Sequence, residues 1–102
     1  MEQKILDLIF QIANEFNEQL ENKIATHQGR DAHLYGRNGV LDSLGLVSFV
    51  MAVEQSVESE FSVTVTLADE KALSQQNSPF QTIGSLADYI KNLLEEASRT
   101  SG

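Results

Sequence analysis

The chain of 102 residues contains no cysteine and no tryptophan, and it has only one proline. The absence of cysteine excludes disulfides, thiolate metal sites and a cysteine nucleophile. The sequence also lacks a run of about 18 apolar residues, so we predict that no segment crosses or inserts into a membrane. The first ten residues, MEQKILDLIF, lack the basic start and cleavage site of a signal peptide. We therefore expect a cytoplasmic protein.

Basic residues are scarce as well: seven Lys and Arg stand against fifteen Asp and Glu, giving a formal net charge of −8. Binding to a nucleic-acid backbone needs clusters of Lys and Arg, so we exclude nucleic acid as a partner. The acidic balance favours partners with basic surfaces, although an acidic surface also aids solubility by itself. The length fits one domain, residues 1–102 with a core of about 4–94, and we expect a monomer.

Three segments carry apolar residues at the three- and four-residue spacing of an amphipathic helix. They are residues 2–23, 43–58 and 82–97. A fourth, shorter helix is predicted over 66–73, where Thr66 and Asp69 match a capping box. The predicted fold class is all-α: a small four-helix bundle of three main helices plus one short helix, with a long first loop.

The bounds and core of this bundle follow from the same pattern. Thr82 or Ser85 is expected to cap the last helix, and residues 98–102 are expected to form a frayed tail. The core is expected to combine apolar residues of all three main helices and the segment after the second one: Ile9, Ile12, Phe16, Val47, Phe49, Val50, Val57, Phe61, Leu86 and Ile90.

Two connections remain between the helices. Residues 24–41 form a long loop punctuated by glycine, with a short helical turn expected around 31–35. Its His27 and His33 match no standard zinc spacing, so we interpret them as solvated and predict no metal site. The segment FSVTVTL, residues 61–67, alternates like a strand but has no partner strand. We predict an extended connector that packs Phe61, Val63 and Val65 against the bundle.

The stretch with the most chemical content begins at Asp42 and Ser43, because one of them is expected to cap the second helix. A helix N-terminus favours an anion, so a phosphodiester attached to Ser43 would be well placed. Ser43 has no histidine near it in sequence, and there is no glycine-rich phosphate loop. We therefore predict that the protein is not an enzyme and has no catalytic residues.

The residues GVLDSLGLVSFVMAVEQSVESEF, 39–61, resemble the second helix of an acyl carrier protein with its D-S-L modification motif. SPFQTIGSLADYI, 78–90, resembles the approach to that family's last helix. The resemblance spans about 4–94 and implies that a transferase attaches phosphopantetheine from coenzyme A to Ser43. The arm's thiol would hold acyl groups as thioesters and carry them between enzymes. Asp42 would assist the modification by helping to hold a magnesium ion in the transferase complex.

The resemblance also implies a partner surface and a packed loop. Loading and processing enzymes with basic docking surfaces would contact the second helix at three apolar and two acidic positions, namely Leu44, Leu46, Met51, Glu54 and Glu58. The family's long first loop packs apolar residues back on the bundle, which here would be Leu34, Val40 and Leu41.

The pathway and even the class of protein stay open at this point. Gly45 and Ser48 stand where fatty-acid carriers commonly have acidic residues, so we expect a dedicated partner set in a specialised fatty-acid or polyketide pathway. An aminoacyl or peptidyl carrier is the alternative within the family. The alternative outside it is an acidic helical module that binds partners without covalent chemistry, with Ser43 only a helix cap.

Overall fold

The computed structural model describes residues 2–20, 22–36, 39–67 and 79–100. These ranges contain three α-helices, α1 (Glu2–Asn17), α2 (Ser43–Phe61) and α3 (Ile83–Thr100), together with a 3-10 helix over Thr26–Asp31. Helix α1 packs against both α2 and α3, and the 3-10 helix packs against α3 and α1. The predicted small all-α bundle with three long helices is confirmed.

Helix α1 ends at Asn17, so the prediction that it continues to residue 23 is wrong. The side chain of Asn17 accepts a hydrogen bond from the Ile24 amide at 2.8 Å and donates to the Ile24 carbonyl at 3.0 Å. The Lys23 ammonium donates to the carbonyls of Asn17 and Leu20. These bonds satisfy groups at the helix end and let the chain reverse direction.

The short elements differ from expectation in their position. The helical turn of the first loop occupies Thr26–Asp31 and therefore comes earlier than the predicted 31–35. Of the short helix predicted over 66–73, only Thr66 and Leu67 are described, and both lie outside any helix. The rest of that prediction lies outside the described residues.

The predicted connector over residues 61–67 begins two residues later than expected. Helix α2 continues past its predicted end at residue 58 to Phe61, and Ser62 is its C-cap. Residues 63–67 have no regular secondary structure, and no strand forms within the described ranges beyond an isolated bridge between His33 and Thr82. Val65 and Leu67 are buried, and Val63 packs against the core from a half-buried position. The alternation of apolar and polar residues therefore reflects one side of a single extended segment facing the bundle.

Helix α2 buries three of the four core residues predicted between 43 and 58, Phe49, Val50 and Val57, but not the fourth. Val47, predicted in the core, is 36% exposed. Phe16 and Phe61 are half-buried against the core, and the Phe16 ring meets the Phe49 ring edge-on at a centroid distance of 5.2 Å. The prediction failed at residue 47 because apolar residues occur nearly all round this helix. Its buried residues are Leu46, Phe49, Val50, Val53 and Val57.

Helix α3 begins with a reciprocal cap. The Thr82 hydroxyl accepts from the Ser85 amide and the Ser85 hydroxyl accepts from the Thr82 amide, each at 3.1 Å. The helix continues to Thr100. The predicted frayed tail is therefore wrong over residues 98–100, because helical hydrogen bonding persists past residue 97. The last two residues lie outside the described part of the chain.

Arg30 ties the 3-10 helix to both neighbouring helices. Its guanidinium donates to Glu2 at 2.8 Å and to both carboxylate oxygens of Asp88 at 2.9 and 3.0 Å. The hydrogen bond and the charge of Asp88 raise the pKa of the Arg30 guanidinium above its ordinary value. Gly84 permits this approach, since a Cβ there would lie 3.0 Å from the Arg30 carbonyl oxygen.

The second half of the first loop runs between the starts of α3 and α2. Leu34 donates its amide to the Gln81 carbonyl at 2.7 Å and accepts from the Leu41 amide at 2.9 Å. Leu34 and Leu41 are buried and Val40 is half-buried against the core, so the expected packing of this loop on the bundle is confirmed. The described helices include none that is long and apolar enough to cross a membrane.

Candidate functional site

Asp42, and not Ser43, caps helix α2. The Asp42 backbone is extended, its Oδ1 accepts from the Gly45 amide at 2.7 Å, and its carbonyl accepts from the Leu46 amide at 2.8 Å. Both residues were candidates for the cap in the sequence. Ser43 is therefore the first helical residue, and its side chain does not serve the backbone of the helix.

The Ser43 side chain is exposed at the positive end of a helix of 19 residues. The first amides of a helix have no partner within it, and the aligned peptide dipoles add partial positive charge there. A negatively charged group bonded to the Ser43 oxygen is stabilised by both effects. Among the described residues, the hydroxyl of Tyr35 lies near it, at 3.4 Å from Ser43 Oγ.

Tyr35 is a site residue that the sequence did not indicate. Its half-buried ring packs against the hydrophobic core, and shortly after it in the chain the Gly39 amide donates to the Gly36 carbonyl at 3.1 Å. A Cβ at residue 39 would lie 2.5 Å from the Tyr35 backbone nitrogen, so only glycine fits there. The seven residues between Tyr35 and Ser43 carry no periodic pattern that would have paired them.

An apolar stripe extends from Ser43 along the exposed side of α2. It consists of Leu44, Val47 and Met51, which are 80%, 36% and 48% exposed. Their spacing of three and four residues keeps them on one face of the helix. Leu44 and Met51 are the exposed apolar residues that the resemblance implied, whereas Val47 was assigned to the core and therefore missed.

Leu46 does not belong to this surface. It is 2% exposed, and it shares a helix face with the buried Val50 and Val53. The expectation that Leu46 contacts partner enzymes is wrong, because a side chain in the core offers no area to another protein.

The two glutamates expected beside the stripe have different surroundings. Glu54 is half-buried, and its Oε1 accepts from the Leu67 amide at 2.6 Å, which fastens the connector after α2 to the helix. Glu58 is exposed. Of the two acidic positions, only Glu58 has a wholly solvent-facing side chain.

The described part of the chain shows no cluster of three or more His, Cys, Asp or Glu side chains that suits a metal ion. His27 and His33 are exposed, as expected of solvated loop residues. A groove of about 420 Å³ lies between α1 and the second half of α2 and is lined by Lys4, Asp7 and Glu60 among others. Comparisons with protein-family models, with curated proteins and with solved structures find no match to this chain.

Proposed function

We propose that this chain is a free-standing acyl carrier protein that acts in the cytoplasm and carries a phosphopantetheine arm on Ser43. The observation that supports this most is the cap of helix α2. Because Asp42 bonds the Gly45 amide, the Ser43 hydroxyl is left exposed at the first helical position. A phosphodiester attached there gains the stabilisation of the helix terminus.

The residues around Ser43 fit such a group. Ser43 offers an exposed oxygen as the point of attachment, and the half-buried Tyr35 is its described hydroxyl neighbour. Asp42 is exposed and uses only Oδ1 in the cap, so its second carboxylate oxygen is available to a magnesium ion held by the transferase. The bound arm supplies a terminal thiol, which this cysteine-free chain lacks and which holds an acyl group as a thioester.

The apolar stripe supports a role in which several enzymes bind the same helix in turn. Leu44, Val47 and Met51 form an exposed surface beside the attachment point, where partners would bury them. The exposed Glu58 and the net charge of −8 favour partners with basic surfaces. These partners are the phosphopantetheinyl transferase and the enzymes that load and process the cargo.

The first turn of α2 supports a dedicated partner set. Gly45 in the first turn and Ser48 in the second add no carboxylate to that of the capping residue Asp42. The cargo is accordingly proposed to belong to a specialised fatty-acid or polyketide pathway, with an aminoacyl or peptidyl carrier as the alternative. We expect the loaded protein to be a poor substrate for housekeeping fatty-acid enzymes, because it lacks acidic docking residues just after Ser43.

A non-covalent interaction module is the second candidate function. The observation that favours it is the apolar stripe itself, which is exposed whatever happens at Ser43. In that case Ser43→Ala retains partner binding. For a carrier, Ser43→Ala stays folded and loses function completely, and its stability changes little because Asp42 provides the cap.

The proposal is tested by intact mass after incubation with coenzyme A, magnesium and a broad-range phosphopantetheinyl transferase. The wild-type protein is expected to gain one phosphopantetheine and Ser43→Ala none. Ser48→Ala is the matched control, since Ser48 is also exposed on α2 and should leave the gain unchanged. An unmodified wild type would overturn the proposed function.

A further inference from the structure

We propose that Tyr35 is a positioning residue for Ser43 in phosphopantetheine transfer. This inference rests on the proposed function. Tyr35 belongs to the first loop, and the fold brings its hydroxyl to 3.4 Å from Ser43 Oγ, the oxygen that would react.

The distance between the Tyr35 hydroxyl and Ser43 Oγ suits a contact that tightens during the reaction. At 3.4 Å it is longer than the typical O–H···O separation of about 2.7–2.8 Å. Hydrogen bonds of reacting groups are often long in the free protein and shorten in the productive complex.

Hydrogen bonds of the first loop, the close approach of Gly39 and core packing all position Tyr35. The bond between the Leu41 amide and the Leu34 carbonyl closes the base of the loop at 2.9 Å. The Gly39 amide donates to the Gly36 carbonyl. Because Gly39 has no side chain, its backbone can lie close to the backbone of Tyr35. The half-buried ring also packs on the core, and its hydroxyl lies beside Ser43.

In the transfer step, Tyr35 donates its phenolic hydrogen to Ser43 Oγ and keeps that hydrogen throughout. The donation occupies one lone pair of Oγ and turns the serine's own proton toward solvent, where a base of the transferase takes it. Ser43 Oγ forms a bond to the phosphorus of coenzyme A that bears pantetheine. The bond from that phosphorus to the bridging oxygen breaks, and adenosine 3′,5′-bisphosphate leaves with the electron pair.

After the transfer the same phenol remains beside the new ester oxygen. Tyr35 can then donate to the phosphodiester, and this contact restricts the first atoms of the arm. The phosphorus nucleus therefore reports on Tyr35 in the modified protein, independently of any transfer rate.

The test compares Tyr35→Phe with Tyr89→Phe, which makes the same chemical change on a half-buried ring of α3. We expect kcat for transfer to fall about three- to tenfold in Tyr35→Phe, the effect of losing one hydrogen bond, with KM unchanged. Tyr89→Phe should match the wild type. The melting temperature of each variant shows whether the fold is intact, and the phosphorus-31 resonance of the modified protein should shift only in Tyr35→Phe.

Each outcome decides the matter. Equal kcat and equal phosphorus resonances for Tyr35→Phe and the wild type overturn this inference and leave the proposed function standing. A change in KM alone overturns it too, because that result indicates a surface contact with the transferase. A wild-type protein that accepts no phosphopantetheine overturns the proposed function, and this inference with it.

Discussion

The Gly45 amide donates to Asp42 Oδ1 at 2.7 Å, so the residue before Ser43 fixes the first turn of α2. A side chain at position 45 would bring a Cβ to 3.0 Å from the same oxygen. Asp42 thus stabilises the helix with one carboxylate oxygen while its other oxygen stays outside the cap. Asp42 therefore holds the first turn of the helix, and the exposed Ser43 side chain takes no part in the cap.

The cap made by Asp42 and its proposed contact with magnesium in the transferase complex are separable by substitution. Asp42→Ala removes the cap and is expected to lower the free energy of unfolding by about 1 kcal/mol. Asp42→Asn keeps an oxygen for the Gly45 amide, since asparagine caps as well as aspartate. Urea unfolding should therefore find Asp42→Asn within a few tenths of a kcal/mol of the wild type.

The rate of phosphopantetheine transfer tests the second proposed role of Asp42, the contact with magnesium. Asp42→Asn loses the carboxylate charge that favours magnesium, so phosphopantetheine transfer should slow in a protein of normal stability. Transfer to Asp42→Asn at the wild-type rate would show that the carboxylate has no part in the modification.

Gly39→Ala is expected to disturb Tyr35 directly. The added methyl would lie 2.5 Å from the Tyr35 backbone nitrogen, and overpacking of this kind typically costs about 1–3 kcal/mol. Phosphopantetheine transfer to Ser43 should slow as the tyrosine moves. The matched control is Gly29→Ala, where φ is +66° but the space is open. It should lose stability through backbone strain and keep the transfer rate; equal transfer to both variants would contradict the link between Gly39 and Ser43.

Ser62→Gly is expected to stabilise the protein. Ser62 ends helix α2 in the left-handed conformation, with φ 57° and ψ 32°, and its amide bonds the Glu58 carbonyl. Glycine adopts this conformation without the steric cost of a Cβ, so the free energy of unfolding should rise by about 0.5–1 kcal/mol in a urea titration. Ser62→Ala retains the Cβ and should give no gain, and a gain of the same size there would point to another cause.

Asp88→Asn is expected to lose a small, salt-sensitive contribution to stability. The guanidinium of Arg30 and the carboxylate of Asp88 are 41% and 57% exposed, so the pair should contribute about 0.2–1 kcal/mol at low salt and less at high salt. Glu58→Gln, an exposed change on α2, is the control in the same urea titrations. A loss that is unaffected by salt would contradict an electrostatic origin.

The ion pair of Arg30 and Asp88 should not make the stability depend on pH near neutrality through the titration of Arg30. A raised pKa makes the charged form more favourable in the folded state, so its contribution is complete below the unfolded pKa and is lost only as pH rises through the folded one. Both values lie far above neutral. The stability difference between Arg30→Gln and the wild type should therefore be constant from about pH 7 to about pH 10, as measured by urea unfolding.

The helical core was predictable where one face alone is apolar. Helix α3 shows this: Leu86 and Ile90 were expected in the core and both are buried. Helix α2 was less predictable, because apolar residues on several faces fit more than one stripe. Val47 and Leu46 consequently exchanged their expected positions, one outward and one inward.

The remaining differences depend on contacts between residues far apart in sequence. Helix α1 ends at Asn17, whose side-chain amide is hydrogen-bonded to the backbone of Ile24. These bonds form only if the chain has already turned back. Tyr35 reaches Ser43 because Leu34 is bonded to both Gln81 and Leu41. Local periodicity carries no information on such pairings, so the sequence indicated Ser43 but not the tyrosine beside it.

The most direct test of the central claim is the position of the modification within the chain. Wild-type protein incubated with coenzyme A, magnesium and a broad-range transferase is digested, and its peptides are sequenced by mass spectrometry. The account predicts a single phosphopantetheine, bonded to Ser43. A chain that remains unmodified, or one modified at another serine, would contradict it.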